Sequence, residues 1–276
     1  MNESESRIEK LIGSLQQALF KRIEKQERTN RKLINQVYTQ MESLFWLEKR
    51  LALKNQLPPL RGWATSPDVL LKMHSHIIET KPKCIVEFGS GASTVVIADA
   101  LRQNGVGKLY SFDNSEEFGA KTLKNLELES LENWVELDVS ELVEWEGDHM
   151  NPEHQNNSSL WYNIESLQQV KDIDFVWVDG PPGNSCKYSR FPALPAVKSQ
   201  LAKAAQVWMD DTIREEEYEI CERWSELVNG ALTFFELEKG LGVLVVSEEL
   251  SALERTTSSV ERESKSVVSR LDFGKK

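Results

Sequence analysis

One eleven-residue stretch constrains the fold more than any other: Cys84-Ile85-Val86-Glu87-Phe88-Gly89-Ser90-Gly91-Ala92-Ser93-Thr94. An apolar run ends in a carboxylate and two alternate glycines, and a second apolar run, Val95-Val96-Ile97-Ala98, follows. This reads as a buried strand, a tight turn and the start of a helix. In an open α/β sheet, the crevice beyond the C-terminal end of such a strand is where a nucleotide-like ligand sits. Gly89 and Gly91 allow the backbone to approach that ligand where a Cβ would clash.

The flanking sequence alternates in the same manner. Ser66-Pro67-Asp68 opens a helix that runs to about Thr80, with Ser66 as N-cap and Pro67 at the first helical position. Strands are expected at 85–88, 108–112, 134–137, 173–178 and 206–209. Helices are expected at 93–103, 116–126, 193–201 and 214–227. The segments 232–237 and 243–246 are both strand-like and are joined through Gly240 by too few residues for a crossover helix, so they form an antiparallel hairpin. The expected fold is α/β: a Rossmann-like, doubly wound seven-stranded sheet with a terminal antiparallel hairpin, plus an N-terminal helical extension. Residues 141–170 are polar and read as an inserted loop carrying His149 and His154.

Residues 5–54 contain no proline, and Ile8, Leu11, Leu15, Leu19, Ile23, Leu33, Val37, Met41, Leu44 and Leu51 recur at helical spacing. They form a helical extension, and a coiled coil with a second copy or a partner is its sharper reading, although the heptads are broken at Lys21–Lys32. The expected division is residues 1–56 as this extension, 57–250 as the main domain and 251–276 as a polar tail.

Composition narrows the partners. The 276 residues carry 33 Lys+Arg against 44 Asp+Glu, a net charge of −11, which argues against a nucleic-acid binder. The three cysteines, Cys84, Cys186 and Cys221, form neither a disulfide framework nor a zinc motif. The acidic start lacks the features of a signal peptide and no apolar run is long enough to cross a bilayer, so a cytoplasmic location is expected.

Several carboxylates fall at strand ends. Glu87 closes the first strand. Asp113 follows the second, about 20 residues past the glycine turn, where its two oxygens suit a ribose diol. Asp138 follows the third. Asp179-Gly180-Pro181-Pro182-Gly183 closes the central strand with a rigid loop, and Asp210-Asp211 close the next. A dinucleotide fingerprint needs Gly or Ala at position 94, where this chain has Thr94, so an NAD(P)-dependent oxidoreductase is the weaker enzyme reading. A non-catalytic scaffold is a further alternative.

Taken together, Val86–Gly91, Asp113, the Val178–Gly183 loop, Arg190-Phe191-Pro192-Ala193-Leu194-Pro195 and Met209-Asp210-Asp211 resemble class I S-adenosylmethionine-dependent methyltransferases, in particular bacterial members with a Val-Asp-Gly-Pro-Pro-Gly loop that often occur with surface-glycan genes. The resemblance spans about 57–247 and implies S-adenosylmethionine as cofactor, held by Glu87, Gly89, Ser90, Gly91, Ser93, Asp113, Asp138 and Asp179. It implies O-methylation of a sugar, glycan or other small molecule, with Asp179 as the proton acceptor and Arg190 holding an anionic acceptor. Asp179, Asp210 and Asp211 are also similar to the Mg²⁺ ligands of catechol-type O-methyltransferases, with Asp211 standing where that group has Asn. A metal-dependent reaction is therefore an alternative.

Overall fold

A computed structural model describes residues 3–150 and 159–247. His154 and the expected tail at 251–276 lie outside the described residues. In chain order the elements are α1 (Glu3–Arg50), α2 (Pro67–Thr80), β1 (Cys84–Phe88), α3 (Ala92–Asn104), β2 (Lys108–Asp113), α4 (Glu116–Glu129), β3 (Val135–Val139), β4 (Val143–Glu144), β5 (Leu160–Trp161), β6 (Ile173–Val178), α5 (Ala193–Val197), β7 (Leu201–Asp210), α6 (Glu215–Val228), β8 (Ala231–Phe235) and β9 (Leu241–Val245).

Seven strands form one sheet in the order β3-β2-β1-β6-β7-β9-β8. The pairs among β3, β2, β1, β6 and β7 are parallel, while β9 runs antiparallel to both β7 and β8. The strand order reverses between β1 and β6, so the crevice opens between their C-terminal ends. Both faces of the central strands are apolar because both are covered. On β6, Val176 and Val178 join a core with Trp161, Phe191, Leu194 and Trp224, while Phe175 and Trp177 join a second core with α2 and α3.

The expected elements are present, with three differences. Residues 193–201 divide into α5 and a short 3₁₀ turn at 198–200 before β7 starts at Leu201, five residues earlier than expected. β7 reaches its longer length through an irregularity opposite Ile173–Phe175, where Ala204 has φ 55°. The insert at 141–170 also has structure of its own: β4 and β5 pair antiparallel, and Trp161 and Tyr162 are buried against Phe88. Its aromatic pair outweighs its polar composition and anchors it beneath the crevice.

α1 is a single 48-residue helix. Only its end is integrated: Leu47 packs with Leu70 of α2 and Val96 of α3. No helix among the described residues is long and apolar enough to cross a membrane.

Candidate active site

A cavity of about 1,090 Å³ opens over the C-terminal ends of β1, β2, β6 and β7. One wall is the β1–α3 turn with Asp113 and α4; the other is Asp179, Arg190, Asp211 and Arg214. The segment 58–65, ahead of α2, lies across both.

The first wall is organised around Glu87. Its carboxylate is fully buried below the turn and accepts hydrogen bonds from Ser93 Oγ, Thr94 Oγ1 and Ser111 Oγ, each at 2.6 Å. Burial pushes its pKa up to about 7, against the downward pull of the three hydroxyls. The amide of Gly91 donates to Thr94 Oγ1 at 2.8 Å, so the turn is tied to Glu87 through Thr94. A glycine at position 94 would remove both of these hydrogen bonds. Gly89 has φ 98°, and a Cβ there would meet the backbone oxygen of Asp179 at 2.8 Å. The two strand-end loops therefore touch through a position open only to glycine.

Asp113 lines the cavity at the end of β2. It accepts from the Ser90 amide (3.1 Å), Ser90 Oγ (2.5 Å) and the Ser115 amide (2.8 Å). The carboxylate thus fixes the turn and the start of α4 at the cavity wall.

The second wall is built around a buried cation. Arg190 is 3% exposed. Its Nη2 donates to Asp179 Oδ1 at 3.2 Å and to Asp211 Oδ2 at 3.1 Å, and its Nη1 donates to the Asp210 carbonyl at 3.3 Å. Glu217 lies 3.9 Å from Nε, and Arg214 bridges Asp211 and Glu217 from the solvent side. The indole of Trp224 donates to the Phe191 carbonyl at 2.9 Å and anchors the segment that carries the arginine. Burial pushes the Asp179 carboxyl up to about 6, with Asp211 adding to the rise and Arg190 opposing it. Thr65 Oγ1 donates to the other Asp179 oxygen at 3.1 Å.

Most of the expected site residues converge. Gly89, Ser90, Gly91, Ser93, Asp113, Asp179, Arg190 and Asp211 line the cavity, and Glu87 supports it from below. Asp138 does not: it stands at the end of β3 with Ser166 Oγ 3.5 Å away, outside the cavity wall. His149 is also outside, beside Ser159. The expected metal triad is not assembled. The Arg190 guanidinium already occupies the space between Asp179 and Asp211, where a divalent ion would meet a like charge. Asp210 is fully buried, and burial pushes its pKa well up, with Asp179 and Asp211 adding to the rise. Among the described residues no three His, Cys, Asp or Glu side chains converge as metal ligands. A divalent ion bound by Asp179 and Asp211 would have to displace the Arg190 guanidinium from both.

Sequence reasoning missed Thr65, Tyr162 and Lys239. The Tyr162 hydroxyl lies where a Cβ on Gly180 would be, packing the insert against the Asp179 loop. Lys239, in the β8–β9 turn, donates to the carbonyls of Gly62 (3.1 Å) and Ala64 (2.8 Å) and holds the covering segment down. The Trp161-Tyr162 pair inside a polar stretch was the one visible signal.

Residues 86–212 match a family model described as a methyltransferase domain. No curated protein matches the chain. Among solved structures, the O-methyltransferase TomG from Streptomyces achromogenes, involved in tomaymycin synthesis and solved in complex with SAM, is 14% identical with a TM-score of 0.51, over 77% of this chain and 98% of that one. An O-methyltransferase from Bacillus cereus in complex with SAH is 16% identical with a TM-score of 0.50, over 76% of this chain and 91% of that one. In fold, and in sequence over residues 86–212, this chain is similar to the class I methyltransferases.

Proposed function

We propose that the chain is an S-adenosylmethionine-dependent O-methyltransferase acting on a hydroxyl of a sugar, glycan or other small molecule. The observation that carries this reading is one cavity with two unlike walls: a glycine turn with a ribose-suited carboxylate on one side, and a carboxylate fixed by a buried arginine on the other. The cofactor, when bound, supplies an activated methyl group. The turn at Gly89–Ser93 and Asp113 hold its amino-acid and nucleoside ends. Asp179 takes the proton of the acceptor hydroxyl, and Arg190 and Thr65 fix that carboxylate in place. Trp63, exposed and lining the cavity beside Arg61, suits stacking against a sugar ring that carries negative charge. The built-in guanidinium favours a metal-independent reaction over the catechol-type alternative.

Isothermal titration of the full chain with S-adenosylmethionine and with its demethylated product tests the cofactor. Saturable binding of both is expected. No binding at about millimolar ligand, with a native circular dichroism spectrum, overturns the reading. The proton acceptor is tested by the pH profile of kcat/KM. Asp179 is a base only when ionised, so the rate rises through pH about 6 and levels above it.

A further inference from the structure

α1 presents a problem of water contact. Before its last turns it carries large apolar side chains in the open: Leu15 is 62% exposed, Leu19 60%, Leu33 54% and Val37 58%. A lone helix bearing such a stripe gains nothing from propensity alone that would hold it in water. Something covers it.

The spacing of the stripe identifies what. Leu11, Leu15, Leu19, Arg22, Gln26, Asn30, Leu33, Val37 and Met41 follow one another at intervals of 4, 4, 3, 4, 4, 3, 4 and 4. This is an eleven-residue repeat rather than a broken heptad, and it keeps one face aligned on a nearly straight helix. The series reads the same in both directions about Gln26. Two copies laid antiparallel with Gln26 opposite Gln26 bring Leu11 against Met41, Leu15 against Val37 and Leu19 against Leu33. The polar middle then sets Arg22 against the amide of Asn30, which accepts from it. A parallel, in-register pair would instead stack Arg22 on Arg22 in the seam. Net charge points the same way. Residues 1–50 carry +3, so the remainder carries −14 of the total −11. The antiparallel arrangement keeps the two acidic domains at opposite ends of the helices, whereas a parallel one brings them together. Covering an apolar side chain removes on the order of 100 Å² from water, so the six apolar residues of the seam in each copy amount to roughly 1,200 Å² in all, the lower end of the range for stable interfaces.

We infer that α1 is an antiparallel, two-fold dimerisation helix whose occupant is α1 of a second copy. It closes on itself as an isologous interface.

The test uses the full chain and two double variants, with mass measured by light scattering and the domain fold followed by near-ultraviolet circular dichroism of the buried tryptophans. Wild type is expected to be a dimer. Leu19→Glu with Leu33→Glu places like charges opposite each other and is expected to be monomeric. Leu19→Lys with Leu33→Glu places opposite charges face to face only in the antiparallel arrangement and is expected to remain a dimer. A monomeric wild type, a Glu/Glu variant that stays dimeric, or a Lys/Glu variant that dissociates overturns the inference. So does a wild type that is monomeric alone and sediments with vesicles of phosphatidylcholine and phosphatidylglycerol, which would assign the stripe to a lipid surface.

Discussion

The two walls of the cavity hold a buried carboxylate by opposite means. Glu87 is surrounded by three neutral hydroxyls, whereas Asp179 is held by a guanidinium that also grips Asp211. Hydroxyls can rotate to serve either protonation state of their partner. An arginine cannot, because it donates only and stays charged. The first wall is thus a neutral hydroxyl network beneath the glycine turn, and the second is an ionic cluster in which Arg190 stays charged while Asp179, pushed up to about 6, can still exchange a proton. The arginine fixes where that carboxylate points without taking up the proton itself.

Replacing Arg190 tests the ionic wall hardest. Arg190→Met leaves Asp179, Asp211 and Glu217 without their shared buried cation, and a loss of about 3–5 kcal/mol in urea unfolding is expected. A loss below about 1 kcal/mol would show that Arg214 alone balances the cluster. The hydroxyl wall is tested by Glu87→Gln. The folded pKa of Glu87 lies above its ordinary value of 4.5, so its stability contribution is fully present below pH 4.5 and is lost as pH rises through about 7. The variant has no such dependence. Its stability relative to wild type should therefore climb by roughly 3 kcal/mol between pH 4.5 and pH 8, measured by denaturation at each pH. A flat difference would mean that the hydroxyls stabilise the charge fully. Gly89→Ala probes the contact between the walls: the left-handed backbone and the approach to Asp179 should cost about 2 kcal/mol and weaken cofactor binding in the same titration. The smallest effect is expected from Thr65→Val, which removes one donor from Asp179. A loss of about 1 kcal/mol and an upward shift of the acidic limb of the rate profile should follow, because that hydrogen bond holds the carboxyl pKa down.

The hydroxyl wall was largely legible in the sequence and the ionic wall was not. Glu87, the turn and Asp113 lie within one strand–helix–strand unit, where periodicity and turn chemistry act over short range. The terminal hairpin was legible for the same reason: Gly240 and the short linker left no room for a crossover. The sequence marks Arg190 as a residue for an anionic acceptor, and the structure pairs it with the chain's own carboxylates from two other strand ends. That pairing depends on how three loops meet, and no spacing encodes it. The metal triad and Asp138 come from resemblance, which carries over strand-end positions, and a strand-end position does not tell whether a side chain turns toward the cavity, as Asp179 does, or away, as Asp138 does. Tyr162 lay in a segment whose polar composition concealed the aromatic pair that anchors it.

The hold of Lys239 on the carbonyls of Gly62 and Ala64 joins positions 177 and 175 residues apart in the chain. The sheet already closes most of that separation, because β9 pairs with β7 and the Glu238 amide donates to Asp68 at the start of α2, so the lysine adds little closure cost of its own. One ammonium thus ties the last hairpin of the sheet to the segment that lines the mouth of the cavity. Lys239→Met should leave the unfolding midpoint nearly unchanged and speed the exchange of ligand, read by stopped-flow fluorescence; an unchanged rate would show that the segment stays in place without it.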